Sequence, residues 1–178
     1  ELCEDVWAPE PPSTRLCLCG ADIIFNLSAS DELIGKHNYL CSLLSQQSAR
    51  TMSGYVYSSS GFGESTQDLV YGGNALIYEN GNEVASSERF SFESQMVVAQ
   101  IDYEMLRAER RNNTTFINAQ RPTSLSHTLP QVRFINCHST QIRDFVLERY
   151  VNPTPFIPAS ADMKESCEEI FNIQVAGL

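Results

Sequence analysis

Lysine is scarce in this sequence of 178 residues, since only Lys36 and Lys164 occur among its 12 basic residues. Acidic residues number 22, and the resulting net charge of −10 disfavours binding to nucleic-acid phosphates or anionic lipid. No apolar run approaches the roughly 20 residues that a membrane-spanning helix needs, and no basic-then-apolar signal segment is present. The sequence therefore predicts neither a nucleic-acid partner nor a membrane partner.

Motifs for metal or nucleotide binding are also missing. Cys17 and Cys19 are too close together for paired zinc ligands, and His127 and His138 lie far from them in sequence. The glycine-rich residues 61–65 lack the spacing of a dinucleotide fingerprint or a P-loop, and they predict a turn between strands. We therefore expect no metal and no cofactor in this chain.

Six cysteines are present, at positions 3, 17, 19, 41, 137 and 167. Disulfide frameworks are typical of short, loop-rich secreted chains, and this sequence has neither property. Cys17 and Cys41 fall within helical patterns, where buried thiols behave as small hydrophobic residues. The cysteines thus indicate reduced thiols and a cytoplasmic protein.

The first sixty residues alternate between helical and strand patterns. The elements predicted there are a short helix capped by Ser13, a strand at 22–27, a helix at 34–52 and a strand at 54–58. Ile34, Leu40 and Leu44 share one face of the second helix. Such alternation is typical of an α/β layer.

The later part of the chain begins with a hairpin signal. Asn80-Gly81 separates two strand patterns at 74–79 and 82–87, and this dipeptide favours a type I′ turn. Further elements predicted are a strand at 95–101, a helix capped by Asp102, a loop at 112–133, a proline-rich connector at 152–158 and a helix at 162–176.

Cys3-Glu4-Asp5 at the end of a strand pattern is the cluster most indicative of chemistry. A thiol at such a position is accessible to substrate, but it needs a base or a cation to become the reactive thiolate. From the residues alone, a single cysteine there is more often structural. Pairing of Cys3 with a histidine, as in cysteine peptidases, stays open, although no local signature supports it.

Residues 3–13, Cys-Glu-Asp-Val-Trp-Ala-Pro-Glu-Pro-Pro-Ser, resemble the nucleophile segment of the glutaminase domain in glutamine-dependent NAD+ synthetases. The resemblance continues in order through residues 20–30, 54–57 and 63–69, and it reaches residues 170–178. It therefore covers essentially the whole chain and is more specific than any single motif.

The resemblance implies a nitrilase-like fold, a four-layer α/β/β/α sandwich, of which the N-terminal part is absent. Residues 1–150 would form the C-terminal portion of this glutaminase domain, and residues 151–178 would be the linker and first helix leading to a synthetase domain outside this chain. We accordingly expect one face of the sheet to be uncovered. ATP and Mg2+ would act in the absent synthetase domain.

The family works through a Glu-Lys-Cys triad, in which Cys3 matches the nucleophile. The triad Glu and Lys precede the cysteine, so they would lie upstream of Glu1. The resemblance implies that the Cys3 thiolate attacks the side-chain amide of glutamine and forms a thioester, with the backbone N–H of Glu4 helping to hold the oxyanion. The ammonia released would amidate deamido-NAD+.

Substrate contacts implied by the resemblance are Trp7, which lines the glutamine pocket, and Ser30 and Lys36, which hold the α-amino and α-carboxylate groups. The family often has Arg at the position of Lys36, and Lys offers a point charge where Arg offers a two-pronged fork. Ser30 is equally well interpreted as a helix cap. The Glu4 side chain could contact the substrate amine or face solvent.

Two other functions compete with this assignment. One is a stand-alone nitrilase-type carbon–nitrogen amidase, which the connector and helix after residue 151 disfavour. The other is a non-catalytic interaction fragment in which Cys3 is structural. Under the favoured assignment, we expect the parent protein to be a homo-oligomer and this chain alone to be inactive.

Overall fold

The computed structural model describes residues 1–121, 131–137, 146–157 and 162–178. The chain divides into two compact units, Glu1–Phe145 and Val146–Leu178. The helices and strands of the first unit are a 3-10 helix at Cys3–Trp7, α1 at Pro12–Leu18, β1 at Ile23–Ser28, α2 at Lys36–Thr51, β2 at Gly54–Ser59, β3 at Ala75–Glu79, β4 at Asn82–Ser86, α3 at Tyr103–Asn112 and α4 at Thr114–Ala119. The predicted α/β alternation of residues 1–60 is thus confirmed.

A four-stranded sheet with the strand order β1-β2-β3-β4 forms the centre of this unit. β1 and β2 pair in parallel, with α2 as the crossover between them, whereas β2 and β3 pair antiparallel, as do β3 and β4. The β3–β4 turn confirms the predicted type I′ hairpin, because Asn80 and Gly81 have φ values of 47° and 89°. A β-carbon at Gly81 would come within 2.9 Å of the Ala49 side chain, so glycine is required there.

One face of the sheet is covered by α1 and α2. Successive side chains of a strand point to opposite faces, so every second residue of each strand faces these helices. The buried apolar residues of this core are Val6, Cys17, Ile24, Leu40, Leu44, Tyr55, Tyr57, Leu76 and Tyr78. Cys17 lies in α1 as a free thiol, and its burial raises the pKa of that thiol.

The opposite face of the sheet is exposed at the edge beside β1. Phe25 is 61% exposed, and Leu27 and Leu2 are each 65% exposed. Leu2 pairs in parallel with Leu27 as an isolated bridge, so these side chains continue one apolar surface. The expectation of an uncovered sheet face is thus confirmed only at β1, because Ile77 and Glu79 of β3 on the same face are buried.

The structure corrects the starts of the first two helices. The helix α1 begins at Pro12 after the N-cap Pro11, so Ser13 is not its cap. Proline suits the first helical position because its missing N–H would have had no acceptor there. The helix α2 has Gly35 as its N-cap, and Ile34 before it is fully exposed and does not share the buried face.

The predicted strand at residues 95–101 is wrong, since this segment has no regular structure. Met96 and Val98 are exposed, whereas the Ile101 side chain lies over Gly54 of β2. A β-carbon added at Gly54 would come within 2.8 Å of this side chain. Apolar, β-branched composition favours a strand only where a neighbouring strand offers hydrogen bonds. Here the segment contacts the sheet through a side chain.

The helix capped by Asp102 is confirmed, because the Asp102 carboxylate accepts a hydrogen bond from the Met105 N–H at 2.9 Å. The predicted loop at 112–133 is wrong in part, since it contains α4. Asn113 caps this helix, because its side-chain oxygen accepts a hydrogen bond from the Phe116 N–H at 2.9 Å. Residues 122–130 of that prediction, with His127, lie outside the described residues, as does His138.

The second unit contains one described helix, α5 at Met163–Gly177, which confirms the helix predicted at 162–176. Residues 152–157 contain neither helix nor strand, as predicted for the connector, and Pro158 lies outside the described residues. Among the described residues, no helix is both long and apolar enough to cross a bilayer.

Candidate active site

Cys3 lies where the polypeptide leaves the sheet and enters the 3-10 helix. Its φ of 45° is in the left-handed region, which costs a non-glycine residue about 1–2 kcal/mol. Two hydrogen bonds hold the turn: the Leu2 N–H donates to Asp5 Oδ2 at 2.8 Å, and the Asp5 N–H donates to the Leu2 carbonyl at 3.0 Å. Strained backbone of this kind clusters at functional sites. The half-buried thiol is therefore held at a sharp turn.

Glu4 follows as the second residue of the 3-10 helix, and its side chain is exposed. The first N–H groups of a helix have no acceptor within the helix. The Glu4 N–H is thus the nearest main-chain donor after the thiol in the chain, as the predicted oxyanion contact requires. The exposed carboxylate agrees with a solvent-facing side chain.

Trp7 ends the same 3-10 helix and contacts the start of α2. The Lys36 Nζ lies 5.3 Å from the centroid of the Trp7 ring, within the range of a cation–π interaction. The Tyr39 ring packs against Trp7 at 5.6 Å between centroids. With a rise of about 2 Å per residue in a 3-10 helix, Cys3 and Trp7 lie roughly 8 Å apart along it. The structure thus brings Trp7 and Lys36 together, with Trp7 on the same 3-10 helix as the expected nucleophile.

Lys36 also has a partner that the sequence did not reveal. Its Nζ donates to Asp31 Oδ1 at 2.7 Å and to the Asp31 carbonyl at 2.8 Å. The hydrogen bond from Lys36, and then its charge, lower the pKa of Asp31, so that this carboxylate is ionised at neutral pH. An ammonium group has three N–H donors, and Asp31 uses two of them. One donor is left for a ligand.

Ser30 and Lys36 line the same small depression, together with Asp31, His37 and Leu40 among others. Its volume is about 10 Å3, which is close to the room that one water molecule needs. Because Gly35 caps α2, the interpretation of Ser30 as a helix cap is wrong. The depression can admit a small polar group between Ser30 and Lys36, and a larger ligand would have to lie outside it.

The structure places a histidine beside a cysteine other than Cys3. Within α2, the His37 Nε2 lies 3.5 Å from the Cys41 Sγ. Burial and the charge of Arg89 lower the pKa of His37, so its ring is neutral at pH 7. The Cys3–His pair left open by the sequence is not among the contacts of the described residues.

A larger cavity of about 480 Å3 adjoins the small depression and shares Glu32 and His37 with it. Two others lie in the first unit: one of about 270 Å3 is lined by Ser58, Phe62, Asn74 and Phe92 among others, and one of about 330 Å3 mainly by residues of α3 and α4. None of these is lined by the five residues predicted for the site. No group of three or more His, Cys, Asp or Glu within the described ranges could hold a metal ion.

Comparison of sequences shows that the whole chain is similar to one part of longer proteins. The glutamine-dependent NAD(+) synthetase of Mycobacterium tuberculosis is 39% identical over 180 residues, which cover 100% of this chain and 26% of that protein. The protein of the same name from Mycobacterium leprae is 38% identical over the same share. The chain spans about a quarter of the length of these relatives. No family model matches the chain.

Comparison of structures shows the fold. A carbon-nitrogen hydrolase from Helicobacter pylori G27 superposes with a TM-score of 0.55 at 19% identity, over 68% of this chain and 45% of that one. Nit3 of Saccharomyces cerevisiae, a member of branch 10 of the nitrilase superfamily, superposes with a TM-score of 0.51 at 18% identity, over 64% of this chain and 40% of that one. The chain therefore has part of the nitrilase-superfamily fold, as predicted.

Proposed function

This chain belongs to the glutamine-dependent NAD(+) synthetase family, and we propose that it is part of the domain that hydrolyses glutamine to supply ammonia for NAD+ formation. The observation that carries the proposal is the position of Cys3. Its thiol lies at a left-handed turn directly after Leu2, which forms an isolated bridge to β1, and on the 3-10 helix whose last residue, Trp7, contacts Lys36. A nucleophile and a cationic group for a carboxylate thus lie on adjoining elements.

In the proposed reaction, the Cys3 thiolate attacks the side-chain carbonyl carbon of glutamine. The tetrahedral oxyanion accepts a hydrogen bond from the Glu4 N–H, a contact of a kind whose loss costs about 3–4 kcal/mol of barrier. The carbon–nitrogen bond then breaks, ammonia leaves after protonation, and a thioester with Cys3 remains. Water hydrolyses the thioester to glutamate and the free thiol. The general base and the second oxyanion donor would be the family's Glu and Lys, upstream of Glu1.

Substrate recognition would use the cluster at the start of α2. The third N–H of Lys36 would donate to the α-carboxylate of glutamine, while Asp31 keeps the ammonium in place. Ser30, which lines the depression beside Lys36, would contact the α-amino group. The Trp7 ring would cover the aliphatic part of the substrate.

The remaining chemistry of the parent protein is assigned to its synthetase domain. Deamido-NAD+, ATP and Mg2+ would bind there. This chain would contribute ammonia. A stand-alone amidase would have the same nucleophile but would act on a different amide, so selectivity for glutamine separates the two functions.

Covalent labelling with a diazoketone analogue of glutamine tests the proposal in the full-length parent protein. We expect one equivalent of label on Cys3, located by peptide mass spectrometry, because only a thiolate that faces a glutamine site attacks this analogue rapidly. Excess glutamine should protect Cys3. Cys41, which is also half-buried and lies beside His37, should stay unlabelled and serves as the internal control.

Labelling of Cys41 in place of Cys3 would show that the nucleophile was assigned to the wrong cysteine. If glutamine does not suppress the labelling of Cys3 but another amide suppresses it, the result would favour the stand-alone amidase. A Cys3 thiol that reacts no faster than the exposed thiol of Cys167 would support the non-catalytic alternative.

Replacement of Lys36 by alanine in the parent protein is expected to raise the glutamine KM about ten- to hundredfold. A hydrogen bond from a charged donor to a carboxylate contributes roughly 1.5–3 kcal/mol, which gives this factor. Ammonia-dependent synthesis should not change, because ammonia has no carboxylate to recognise. Steady-state kinetics with glutamine and with ammonium as nitrogen sources measure both effects.

Lys164→Ala is the matched control, because it removes the other lysine of the chain from α5, where the side chain is 91% exposed. It should leave both KM values unchanged. If Lys36→Ala changes the glutamine KM no more than Lys164→Ala does, Lys36 is only a partner of Asp31.

A further inference from the structure

Buried polar side chains form a connected network beside the two residues that precede Cys3. The Glu1 carboxylate accepts hydrogen bonds from the Ser13 backbone N–H and from the Tyr55 hydroxyl. The Asn26 Nδ2 donates to the Tyr55 hydroxyl oxygen at 3.2 Å, and the Gln47 Nε2 donates to the Ser13 Oγ at 3.0 Å. Ser13, Asn26, Gln47 and Tyr55 are at most 4% exposed. Glu1 is thus tied to α1 and to β2 through buried partners.

Tyr55 is the hydrogen-bond donor in its contact with Glu1. Burial raises the pKa of Tyr55, and its hydrogen bond to Glu1 raises it further, so the hydroxyl keeps its proton and donates a hydrogen bond to the carboxylate. Hydrogen bonds with an ionised partner are shorter and stronger than neutral ones. An amide in place of the Glu1 carboxylate would offer one acceptor oxygen where two are used. The network would then contain an unsatisfied buried donor, which is costly.

The network acts on the backbone immediately before the nucleophile. Glu1 precedes Cys3 by two residues, and its carbonyl accepts a hydrogen bond from the Leu27 N–H at 3.4 Å. The two hydrogen bonds between Leu2 and Asp5 span Cys3 and hold the first turn of the 3-10 helix. The position of Cys3 therefore depends on this turn and on the anchored residue before it. Loss of the Glu1 side-chain anchor would remove the second of these supports and let the turn shift together with the Cys3 thiol.

We propose that Glu1 is a positioning residue of the glutaminase reaction, whose carboxylate, anchored by Ser13 and Tyr55, sets the direction in which the Cys3 thiol meets the substrate amide. The inference rests on the proposed function, because it assumes that Cys3 is the nucleophile. Glu1 acts through the backbone of Cys3 and does not contact the substrate. It should therefore affect the chemical step more than substrate binding.

The test is Glu1→Gln in the full-length parent protein. We expect the glutamine-dependent kcat to fall about ten- to hundredfold, since a displacement of the order of 1 Å at a reacting atom has effects of this size. The glutamine KM should stay within about a factor of two, because a change confined to the transition state does not alter ground-state binding. Ammonia-dependent synthesis should be unchanged. Tyr55→Phe, which removes one of the two donors, should shift kcat in the same direction by a smaller factor.

Glu10→Gln is the matched control, since Glu10 is an exposed carboxylate in the same segment and pairs with Arg15 at 2.8 Å. It should leave all rates unchanged. The inference would be overturned if the kcat of Glu1→Gln equals that of Glu10→Gln. It would also be overturned if Glu1→Gln lowers the glutamine-dependent and ammonia-dependent rates equally, because an equal loss marks a general folding defect. If Cys3→Ala keeps glutamine-dependent activity, the proposed function itself fails; if only Glu1→Gln is silent, the positioning role alone fails.

Discussion

Cys3→Ala in the full-length parent protein is expected to abolish glutamine-dependent NAD+ formation and to leave ammonia-dependent formation intact. The thioester needs the thiol, and no neighbouring side chain can replace it, so the rate with glutamine should fall at least about a thousandfold. Free ammonia would reach the synthetase domain without any covalent step at Cys3. Initial rates of NAD+ formation with each nitrogen source measure the two outcomes.

Cys41→Ala provides the comparison for this experiment. Cys41 is half-buried in α2 and is the cysteine that contacts a histidine, at 3.5 Å from His37. Its replacement should leave glutamine-dependent synthesis near the unmodified rate. Glutamine-supported synthesis in the Cys3 variant would refute the assignment of the nucleophile. Loss of both activities in that variant would indicate that Cys3 is needed for folding.

Local signals in the sequence were sufficient for most of the fold. The Asn80-Gly81 turn and the Asp102 cap were predictable because each depends on residues within four positions in the chain. The strand predicted at 95–101 failed because strand formation depends on a partner that is distant in sequence. The helix α4 was missed because its six residues are too few to show a helical period in the sequence.

The candidate site was predictable only as far as the family resemblance reached. Cys3, Trp7, Ser30 and Lys36 were identified by position in matching segments, and the structure brings Trp7 and Ser30 each into the surroundings of Lys36. The Asp31–Lys36 pair could have been noticed, since the residues are five apart and oppositely charged. Nothing in the sequence marks it as more than a solvent-exposed pair, because such pairs are common at helix starts.

The contacts of Glu1 could not have been derived from sequence. Its partners Ser13 and Tyr55 lie 12 and 54 residues away, and they meet only because β1 and β2 pair in parallel while α1 packs on the same face. The role of an acidic residue two positions before Cys3 is ambiguous until the burial of its partners is known. The structure resolves this ambiguity by placing fully buried donors at both carboxylate oxygens.

The 178-residue chain alone is expected to release no glutamate from glutamine above background. Under the proposed function, Cys3 needs a general base and a lysine of the family's triad, and both would lie upstream of Glu1. Lys36 is engaged by Asp31, and Lys164 is 91% exposed on α5, so neither is held as a triad lysine would be. The apolar surface of Leu2 and Leu27 is also exposed directly beside Cys3. Such a surface favours association of chains over a pre-organised site.

Two measurements on the purified chain, with its Cys3→Ala variant as background, test this last expectation. Glutamate release should be the same for both, and the diazoketone analogue of glutamine should label Cys3 no faster than the exposed thiol of Cys167. The full-length parent under the same conditions should be labelled on Cys3 within minutes. Rapid stoichiometric labelling of the 178-residue chain would mean that these residues suffice to activate the thiol. The base would then have to be sought among the carboxylates next to Cys3, which are Glu4 and Asp5.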